Sequence, residues 1–225
     1  MSARAVIAVV SASKEAGVQL GEYLRRRGHD VTLAHEMWSA RPLFAGKPDL
    51  AVVDLQLPGG SGLDLLRDYG GEEGPAFVLV SSGPVLIEKV LALELGAADV
   101  IEAPFNLREA ATRIGGILTR RGFAAPDLLP LENSTVDLRA ALVMHHSGEE
   151  EQLSAGQVAM LKLFAANPHT VINRDDIIAA APAESYEAFD RSIDSRIVRL
   201  RRKLDSESIV TVRGAGYRFD PPKGA

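Results

Sequence analysis

Arginine residues recur at helical spacing in a segment near the C-terminus, residues 191–204, which reads RSIDSRIVRLRRKL. Every third or fourth position carries an arginine or a serine, at Arg191, Ser195, Arg199 and Arg202. Positions spaced in this way share one face of a helix, and Arg196 lies beside that face. A guanidinium group binds phosphate oxygens or a guanine edge through paired hydrogen bonds. The segment therefore predicts a helix that contacts a nucleic acid duplex.

The other side of this helix is apolar, and a hairpin follows it. The apolar stripe comprises Ile193, Ile197, Leu200 and Leu204. Residues 209–212 are mostly β-branched and predict a strand, and the glycines of residues 214–216 turn the chain back beside Arg213. A helix fits the major groove of DNA, and the tip of a hairpin can reach an adjacent minor groove. The alternative is a solvated basic helix next to an ordinary hairpin.

Positive charge is concentrated in this part of the chain. Residues 191–218 contain eight arginines and lysines and three acidic residues, a net charge of +5, whereas the whole chain of 225 residues carries −5. A local basic surface on an acidic protein is typical of a nucleic-acid site.

The composition excludes several classes of protein. The chain has no cysteine, which excludes disulfide frameworks, thiolate metal sites and cysteine nucleophiles. No apolar run is long enough to span a membrane, and the N-terminus resembles a strand more than a signal sequence. We therefore expect a cytoplasmic protein with no membrane association, no bound metal and no cofactor.

Short apolar runs alternate with helical patterns over residues 1–121, which is typical of βα units that form a parallel sheet. Five such units favour a flavodoxin-like, doubly wound α/β fold with its site at the carboxyl ends of the strands. The predicted strands are residues 5–10, 30–34, 50–54, 77–81 and 98–101. The predicted helices are residues 15–28, 37–44, 63–69, 87–95 and 107–121.

The second half of the chain predicts a smaller domain. Residues 132–147 alternate loosely and indicate a small antiparallel sheet, and the acidic residues 149–151 that follow predict a solvated loop. Ser154 with Gln157 predicts a capping box at the start of a helix. Asn173 is predicted to cap a second helix, with Ile177 and Ile178 facing inward.

Three stretches together resemble a response regulator of the OmpR/PhoB type: VVDLQLPGGSGLDLL, LGAADVIEAPFNLREA and the arginine helix with its hairpin. The resemblance covers nearly the whole chain. It implies a (βα)5 receiver domain over residues 1–121, a linker over 122–131, and a winged helix-turn-helix DNA-binding domain over 132–225. Receivers of this family transfer a phosphoryl group to an aspartate, with the help of Mg²⁺.

The receiver pocket departs from the family pattern at several positions. Asp54 matches the phosphoryl acceptor and Ser81 matches the hydroxyl residue, but Ser11 and Ala12 stand where the family has two acidic residues. Ala103 stands where the family has a lysine. Mg²⁺ is usually held by carboxylates, and phosphoryl transfer depends on electrostatic stabilisation of the transition state. We therefore expect a vestigial pocket with no catalytic residue. Two alternatives remain: a pocket that still accepts phosphate, and one that binds a small ligand or an anion.

The resemblance also implies roles for surface residues. Arg191, Ser195, Arg196 and Arg199 would face the major groove, Arg201 and Arg202 would flank phosphates, and Thr211 and Arg213 would belong to the wing. A homodimer would form through a face that carries Lys89, Glu94, Asp99, Glu109 and Arg113. Residues 180–189 match the loop through which the family contacts RNA polymerase, and a plain connector is the alternative.

We therefore predict a sequence-specific regulator of transcription that binds double-stranded DNA as a homodimer, independently of aspartate phosphorylation. The first alternative is a phosphorylation-dependent two-component response regulator that keeps Asp54 as its acceptor. An enzyme is disfavoured, because no glycine-rich phosphate loop follows the first strand and no nucleophile–base pair is evident. An interaction module that has lost DNA binding is disfavoured by the intact arginine helix.

Overall fold

The computed structural model describes residues 4–83, 86–125, 127–181 and 192–222. Its chain forms two compact units, Met1–Ala125 and Pro126–Ala225, and each is described by itself.

The first unit alternates strands and helices as the sequence predicts. In chain order its elements are β1 (Val6–Val10), α1 (Lys14–Arg26), β2 (Asp30–Ala34), α2 (Met37–Ala45), β3 (Leu50–Asp54), β4 (Gln56–Leu57), β5 (Gly60–Ser61), α3 (Gly62–Tyr69), β6 (Ala76–Ser81), α4 (Leu86–Glu94), β7 (Asp99–Glu102) and α5 (Leu107–Arg120). The observed bounds lie within about two residues of the predicted ones, which is the usual uncertainty of helix and strand ends.

Five of these strands form one parallel sheet in the order β2-β1-β3-β6-β7, and β4 with β5 forms a separate small hairpin. Numbered along the chain, the five parallel strands therefore follow the order 2-1-3-4-5, which is the flavodoxin-like arrangement. The central strands β3 and β6 are buried along nearly their whole length, because helices cover both faces of the sheet. The predicted fold class of this unit is confirmed.

Side chains that alternate along the strands divide the core into two layers. Val9, Val52 and Val78 face the layer that contains residues of α1 and α5. Their neighbours, such as Ala8, Val53 and Phe77, face the layer that contains residues of α2 and α3. Because successive strand residues point to opposite faces, every residue at a strand end belongs to one layer or the other.

The second unit contains two small antiparallel sheets and three helices among its described residues. In chain order these are β8 (Leu128–Pro130), β9 (Ser134–Asp137), β10 (Leu142–His145), β11 (Glu150–Gln152), α6 (Ala155–Ala166), β12 (Val171–Ile172), α7 (Arg174–Ala180), α8 (Ile193–Leu204), β13 (Ile209–Val212) and β14 (Gly216–Phe219). The sheets have the orders β11-β10-β9-β8 and β12-β14-β13. One apolar core joins the three helices to both sheets.

Hydrogen bonds at the helix starts confirm several predicted caps. Ser154 and Gln157 form the predicted capping box of α6. Asn173 accepts a hydrogen bond from the Asp176 amide at 2.8 Å at the start of α7. A further cap, at Asn106, accepts hydrogen bonds from the Arg108 and Glu109 amides in the first turn of α5; the pattern N-x-x-E of residues 106–109 predicts a helix start here.

Three details of the second unit differ from the sequence predictions. The acidic residues predicted as a loop contribute to β11, which pairs with β10 at the edge of its sheet, where charged residues protect an exposed strand. Strand β8 lies within the segment predicted as a linker and pairs with β9. Ile178 is 44% exposed rather than inward, because the seven-residue helix α7 buries Ile177 and turns its neighbour toward solvent.

Candidate DNA interface and strand-end pocket

Helix α8 buries its apolar stripe and exposes its polar face. Ile193, Ile197, Leu200 and Leu204 are buried in the core of the second unit, as predicted. Ser195, Arg199 and Arg202 are exposed, and Arg196 is half-buried. Arg191 lies outside the described residues, so its predicted contact with DNA stays a prediction. The exposed polar face of α8 is long enough to present several side chains to one groove of DNA.

Val198 is an apolar residue on this same exposed face, and it is not among the residues predicted to contact DNA. Its side chain is 61% exposed. It lies three residues after Ser195 and four before Arg202, so the three side chains are neighbours on the helix surface. An exposed aliphatic group among arginines suits contact with the methyl group of thymine. Its position relative to the buried stripe was the signal in the sequence that could have identified it.

Arg201 joins α8 to the wing. Its Nε donates to the Ile209 carbonyl at 2.6 Å, and its Nη2 donates to Thr211 Oγ1 at 2.9 Å. These bonds hold the guanidinium against β13 and link two residues predicted to contact DNA. Arg201 therefore positions the wing, and its predicted contact with phosphate stays a prediction.

Asp194 accepts hydrogen bonds from two elements that flank α8. Tyr217 donates its hydroxyl to Asp194 Oδ1 at 2.6 Å, and Arg174 donates Nε to the same oxygen at 2.8 Å. The hydrogen bond from Arg174 is the main cause that lowers the pKa of Asp194, and the hydrogen bond from Tyr217 lowers it further. Burial and the bond to Asp194 raise the pKa of Tyr217. Both groups therefore keep their neutral-pH charge states, and the network holds α7, α8 and β14 in register.

The C-terminal end of α8 is anchored by the first sheet of its unit. Ser134 is fully buried and donates Oγ to the Leu204 carbonyl at 2.6 Å. Asn133 donates Nδ2 to the Asp205 carbonyl at 3.1 Å, where the helix ends in a left-handed residue. These side chains satisfy carbonyls that a helix end leaves without partners.

The wing is the hairpin of β13 and β14, and Arg213 lies exposed at its tip. Gly214 follows with a φ of 75°, a conformation that favours glycine. Within the described part of the second unit, Arg196, Arg202 and Arg213 have no ion-pair partner, whereas Arg218 is paired with Asp220 at 2.7 Å. Basic charge is therefore available on the outer face of α8 and at the wing tip.

Asp54 ends β3 beside Ser11 and Ala12 in the first unit. Ser11 Oγ donates to Asp54 Oδ2 at 3.0 Å, and the Ala12 amide donates to the same oxygen at 2.8 Å. Burial raises the pKa of Asp54 above its ordinary value, and the two hydrogen bonds act in the opposite direction. We call this group of three residues the strand-end pocket.

Ser81 is separated from this pocket by the alternation of β6. It is buried, and its hydroxyl donates to the Gly83 carbonyl at 2.9 Å. Its neighbour Ser82 instead lies on the wall of a cavity next to Asp54. The cavity has a volume of about 100 Å³, and Asp54, Ala103, Phe105 and Leu20 are among the residues that line it.

The residues at this site do not fit the Mg²⁺ that the family resemblance implies. Asp54 is the one carboxylate among the described residues that line the cavity. Glu102 extends away from Ala103, and its carboxylate accepts a hydrogen bond from Lys89 of α4. No group of three or more acidic, histidine or cysteine residues is arranged to hold a metal ion within the described ranges.

The residues predicted for a dimer face form ion pairs within the chain. Arg113 donates to Asp99 at 3.2 Å and pairs with Glu109 at 3.0 Å, so β7 and α5 share one cluster. Lys89 pairs with Glu102, a residue outside the prediction. Glu94 is exposed. Arg113 and Glu109 are each about half exposed, and ion pairs as exposed as theirs contribute little to stability.

Helix α4 also exposes apolar side chains that are not among the residues predicted for the dimer face. Ile87 is 79% exposed, and Val90 and Leu93 are about half exposed. Their spacing of three residues places them along one side of the helix. A contiguous exposed apolar surface is typical of an interaction site.

The predicted polymerase contact falls mainly outside the described residues. Residues 182–191 are not described, and α7 ends just before them at Ala180. That contact stays a prediction. Within the described ranges, no helix combines the length and the apolar character needed to cross a membrane.

Comparison with solved structures finds likenesses along the whole chain. The response regulator DrrB of Thermotoga maritima, described as an OmpR/PhoB homologue, is 22% identical with a TM-score of 0.46, covering 97% of this chain and all of that one. The HemR receiver domain of Leptospira biflexa is 30% identical with a TM-score of 0.48, covering 52% of this chain and 95% of that one. The fold assignment rests on the strand order.

Comparison with known amino-acid sequences identifies the family of the chain. Residues 148–219 match the family model of the C-terminal part of transcriptional regulatory proteins. The regulatory protein VirG of Agrobacterium tumefaciens is 35% identical over 216 residues, which cover 88% of this chain and 79% of VirG. VirG of Rhizobium rhizogenes is 35% identical over 210 residues, with 88% and 87% covered. The chain therefore belongs to the OmpR/PhoB-type response regulators, which are DNA-binding regulators of transcription and not enzymes.

Proposed function

We propose that this regulator binds specific DNA sequences as a homodimer and does so without phosphorylation of Asp54. The observation that carries the proposal is the composition of the strand-end pocket, where Asp54 is flanked by Ser11 and Ala12 and faces Ala103. Phosphoryl transfer is catalysed almost entirely by positioned positive charge, from metal ions and cationic side chains. A pocket with one carboxylate and no lysine lacks both sources of that charge.

The proposed organisation is a receiver-like domain over residues 1–121, a linker over 122–131 whose strand β8 pairs with β9, and a winged-helix domain over 132–225. Because the chain acts on DNA, we propose that it works in the cytoplasm.

In the proposed complex, the exposed face of α8 enters the major groove. Ser195, Arg196 and Arg199 contact base edges, and Val198 packs on a thymine methyl group. Arg202, farther along the helix, binds phosphate oxygens. Arg213 reaches the adjacent minor groove from the wing, next to Thr211. Half-sites about one helical turn of DNA apart, roughly 34–36 Å, would suit a dimer.

The proposed dimer uses α4, β7 and α5. Ile87, Val90 and Leu93 supply apolar area, and the cluster around Arg113 supplies complementary charge at its rim. An interface with an apolar centre and a charged rim is typical of protein association. The dimer would form in the unmodified protein.

A phosphorylation-dependent regulator is the second candidate, and one observation favours it. Both protein hydrogen bonds to the Asp54 carboxylate go to Oδ2, so Oδ1 is left without a hydrogen bond from the described residues. That oxygen could still attack a phosphodonor. The two candidates differ in whether a phosphodonor changes DNA affinity.

The deciding experiment measures DNA affinity at fixed salt for the unmodified protein and for Asp54→Ala, with and without Mg²⁺ and a small phosphodonor. We expect the same operator affinity in all four conditions. Affinity that appears only with the donor and is lost in Asp54→Ala would refute phosphorylation independence.

A double variant, Arg199→Ala with Arg213→Ala, provides the control for specific binding. We expect it to keep the fold and to lose operator affinity, because each arginine contributes about 1–3 kcal/mol when it reads a base. Unchanged DNA binding in this variant would refute the proposed interface. Arg202→Ala, by contrast, should make the salt dependence of binding shallower by about one unit of slope, because Arg202 is the residue proposed to bind a phosphate.

A further inference from the structure

The cavity beside Asp54 is a small apolar chamber with one charged wall. It measures about 100 Å³, and Leu20, Val52, Val80 and Phe105 supply apolar surface. Alternation along β3 places Val52 and Asp54 on the same side of the sheet, so the carboxylate belongs to the same layer as the apolar residues. Ala103 follows β7 and contributes only a methyl group to the wall.

The carboxylate has unused hydrogen-bonding capacity. Asp54 Oδ2 accepts from Ser11 and Ala12, whereas Oδ1 accepts from no described residue. Burial without a positive partner is costly for a charged group, which explains the raised pKa of Asp54. A ligand that brings positive charge and N–H donors would compensate for that cost.

Other ligand classes match the walls less well. An anion would be repelled by Asp54, and the hydroxyl of Ser11, which lines the cavity, already donates to Asp54. A divalent cation prefers several oxygen ligands, and the lining offers one carboxylate. A purely apolar molecule would leave the carboxylate without a partner.

The geometry points to a binding site for a short primary alkylammonium ion. Its ammonium group donates to Asp54 Oδ1 and lies beside Ser82, and its alkyl chain fills the apolar part of the cavity next to Ala103. A cavity of 150 Å³ accommodates the six heavy atoms of benzene, so about 100 Å³ accommodates roughly four heavy atoms. The site lies in the first unit, so it is independent of the DNA-binding proposal.

Propylammonium, which has four heavy atoms, is the probe. Titration of the full chain at neutral pH and constant ionic strength, followed by NMR chemical shifts, should show saturable changes at the amides of Ser11, Ala12 and Ala103. A ligand of this size should bind with a Kd on the order of 1 mM. Ammonium chloride and propanol are matched controls for charge alone and for shape alone, and each should bind at least about tenfold more weakly.

Three variants test the assignment. Asp54→Asn keeps the shape but removes the charge, and should weaken binding at least about tenfold. Ala103→Met fills the cavity without charge and should abolish binding. Asp68→Asn removes an exposed carboxylate on α3 and should leave the Kd unchanged.

Several outcomes would overturn the proposal. Equal affinity for propanol and propylammonium would show that the cavity selects its ligand by shape and not by charge. Unchanged binding in Asp54→Asn or Ala103→Met, with each variant shown to be folded by its NMR spectrum, would place the ligand elsewhere. The absence of saturable shifts up to roughly 100 times the expected Kd would show that the cavity takes no such ion.

Discussion

Asp54 has a different environment from a carboxylate that holds a metal ion. Its hydrogen bonds come from one hydroxyl and one amide, and both reach the same oxygen. Burial outweighs these bonds and raises its pKa. At the scale of single residues, the negative charge of Asp54 therefore does not stabilise the folded protein.

Replacement of Asp54 by Asn should stabilise the protein at neutral pH. A carboxyl group whose pKa is raised by folding stabilises the folded state while the group is protonated. This stabilisation is lost as the pH rises from the ordinary pKa of the group through its raised pKa. The melting temperature of Asp54→Asn relative to the parent should therefore rise by a few degrees across this window. Thermal unfolding as a function of pH measures it.

Glu72→Gln, which removes an exposed carboxylate that has no ion pair among the described residues of the same unit, controls for the general loss of a negative charge. A melting difference for Asp54→Asn that falls as pH rises would contradict the assignment of a buried, under-compensated carboxylate.

Val198 provides a second prediction at this scale. If it packs on a thymine methyl group, replacing that thymine by deoxyuridine in the operator should weaken binding about fourfold, since one buried methyl group contributes roughly 0.8 kcal/mol. In Val198→Ala the effect of the replacement should disappear. Binding titrations with thymine and uracil operators measure both values.

Val171→Ala, another exposed valine of the second unit, should keep the parent's response to uracil. If uracil substitution has no effect on the parent protein at any operator position, Val198 does not contact a thymine methyl group.

At the scale of elements, α8 is held by hydrogen bonds with α7, β9, β13 and β14 of its unit. Tyr217 and Arg174 bind Asp194 near its beginning, Arg201 ties it to β13, and Ser134 anchors its end. Recognition of a base requires side chains placed to within a fraction of an ångström. These contacts supply that rigidity without using the exposed face.

Gly216, at the start of β14, lies very close to the backbone of β12. A Cβ there would lie 2.0 Å from the Ile172 carbonyl oxygen, and its φ of 150° also favours glycine. Gly216→Ala should therefore destabilise the second unit by about 2–4 kcal/mol, through a clash with backbone that cannot rotate away. Hydrogen exchange of the β12 and β14 amides measures the loss.

Gly214→Ala is the matched control, because Gly214 also has a positive φ but open space around its Cβ position. It should cost about 1 kcal/mol. Equal costs for the two variants would show that conformation, and not the approach to Ile172, decides the effect.

At the scale of the whole molecule, the proposed dimer depends on the exposed side of α4. Ile87→Glu should weaken the dimer about 100-fold, because a two-fold interface loses the apolar side chain twice, at roughly 1.5 kcal/mol each. Sedimentation at tens of micromolar measures the change. Trp38→Glu is the control, because Trp38 lies on α2 and is 73% exposed, whereas Ile87 is 79% exposed.

The Trp38 variant should sediment like the parent. A parent protein that is already monomeric at this concentration, or equal weakening by both variants, would contradict a dimer through α4.

Most of the fold could be predicted from local patterns. The strands of the first unit are apolar runs whose burial on both faces follows from their composition, and the stripe of α8 follows from its period. Residues whose role depends on distant partners were harder to predict. Strand β11 exists because β10 pairs with it, and Ile178 is exposed because α7 is too short to bury two adjacent residues.

The sequence by itself determined the order of elements, the arginine face of α8 and the absence of the usual acidic and lysine residues around Asp54. These are properties of residue type and spacing, which do not require a partner. Only the tertiary structure decided that Arg201 binds the wing, that Ser82 rather than Ser81 lines the cavity, and that Val198 shares the exposed face. The physical reason is that hydrogen bonds and cavities join residues far apart in the chain, and their geometry is set by packing.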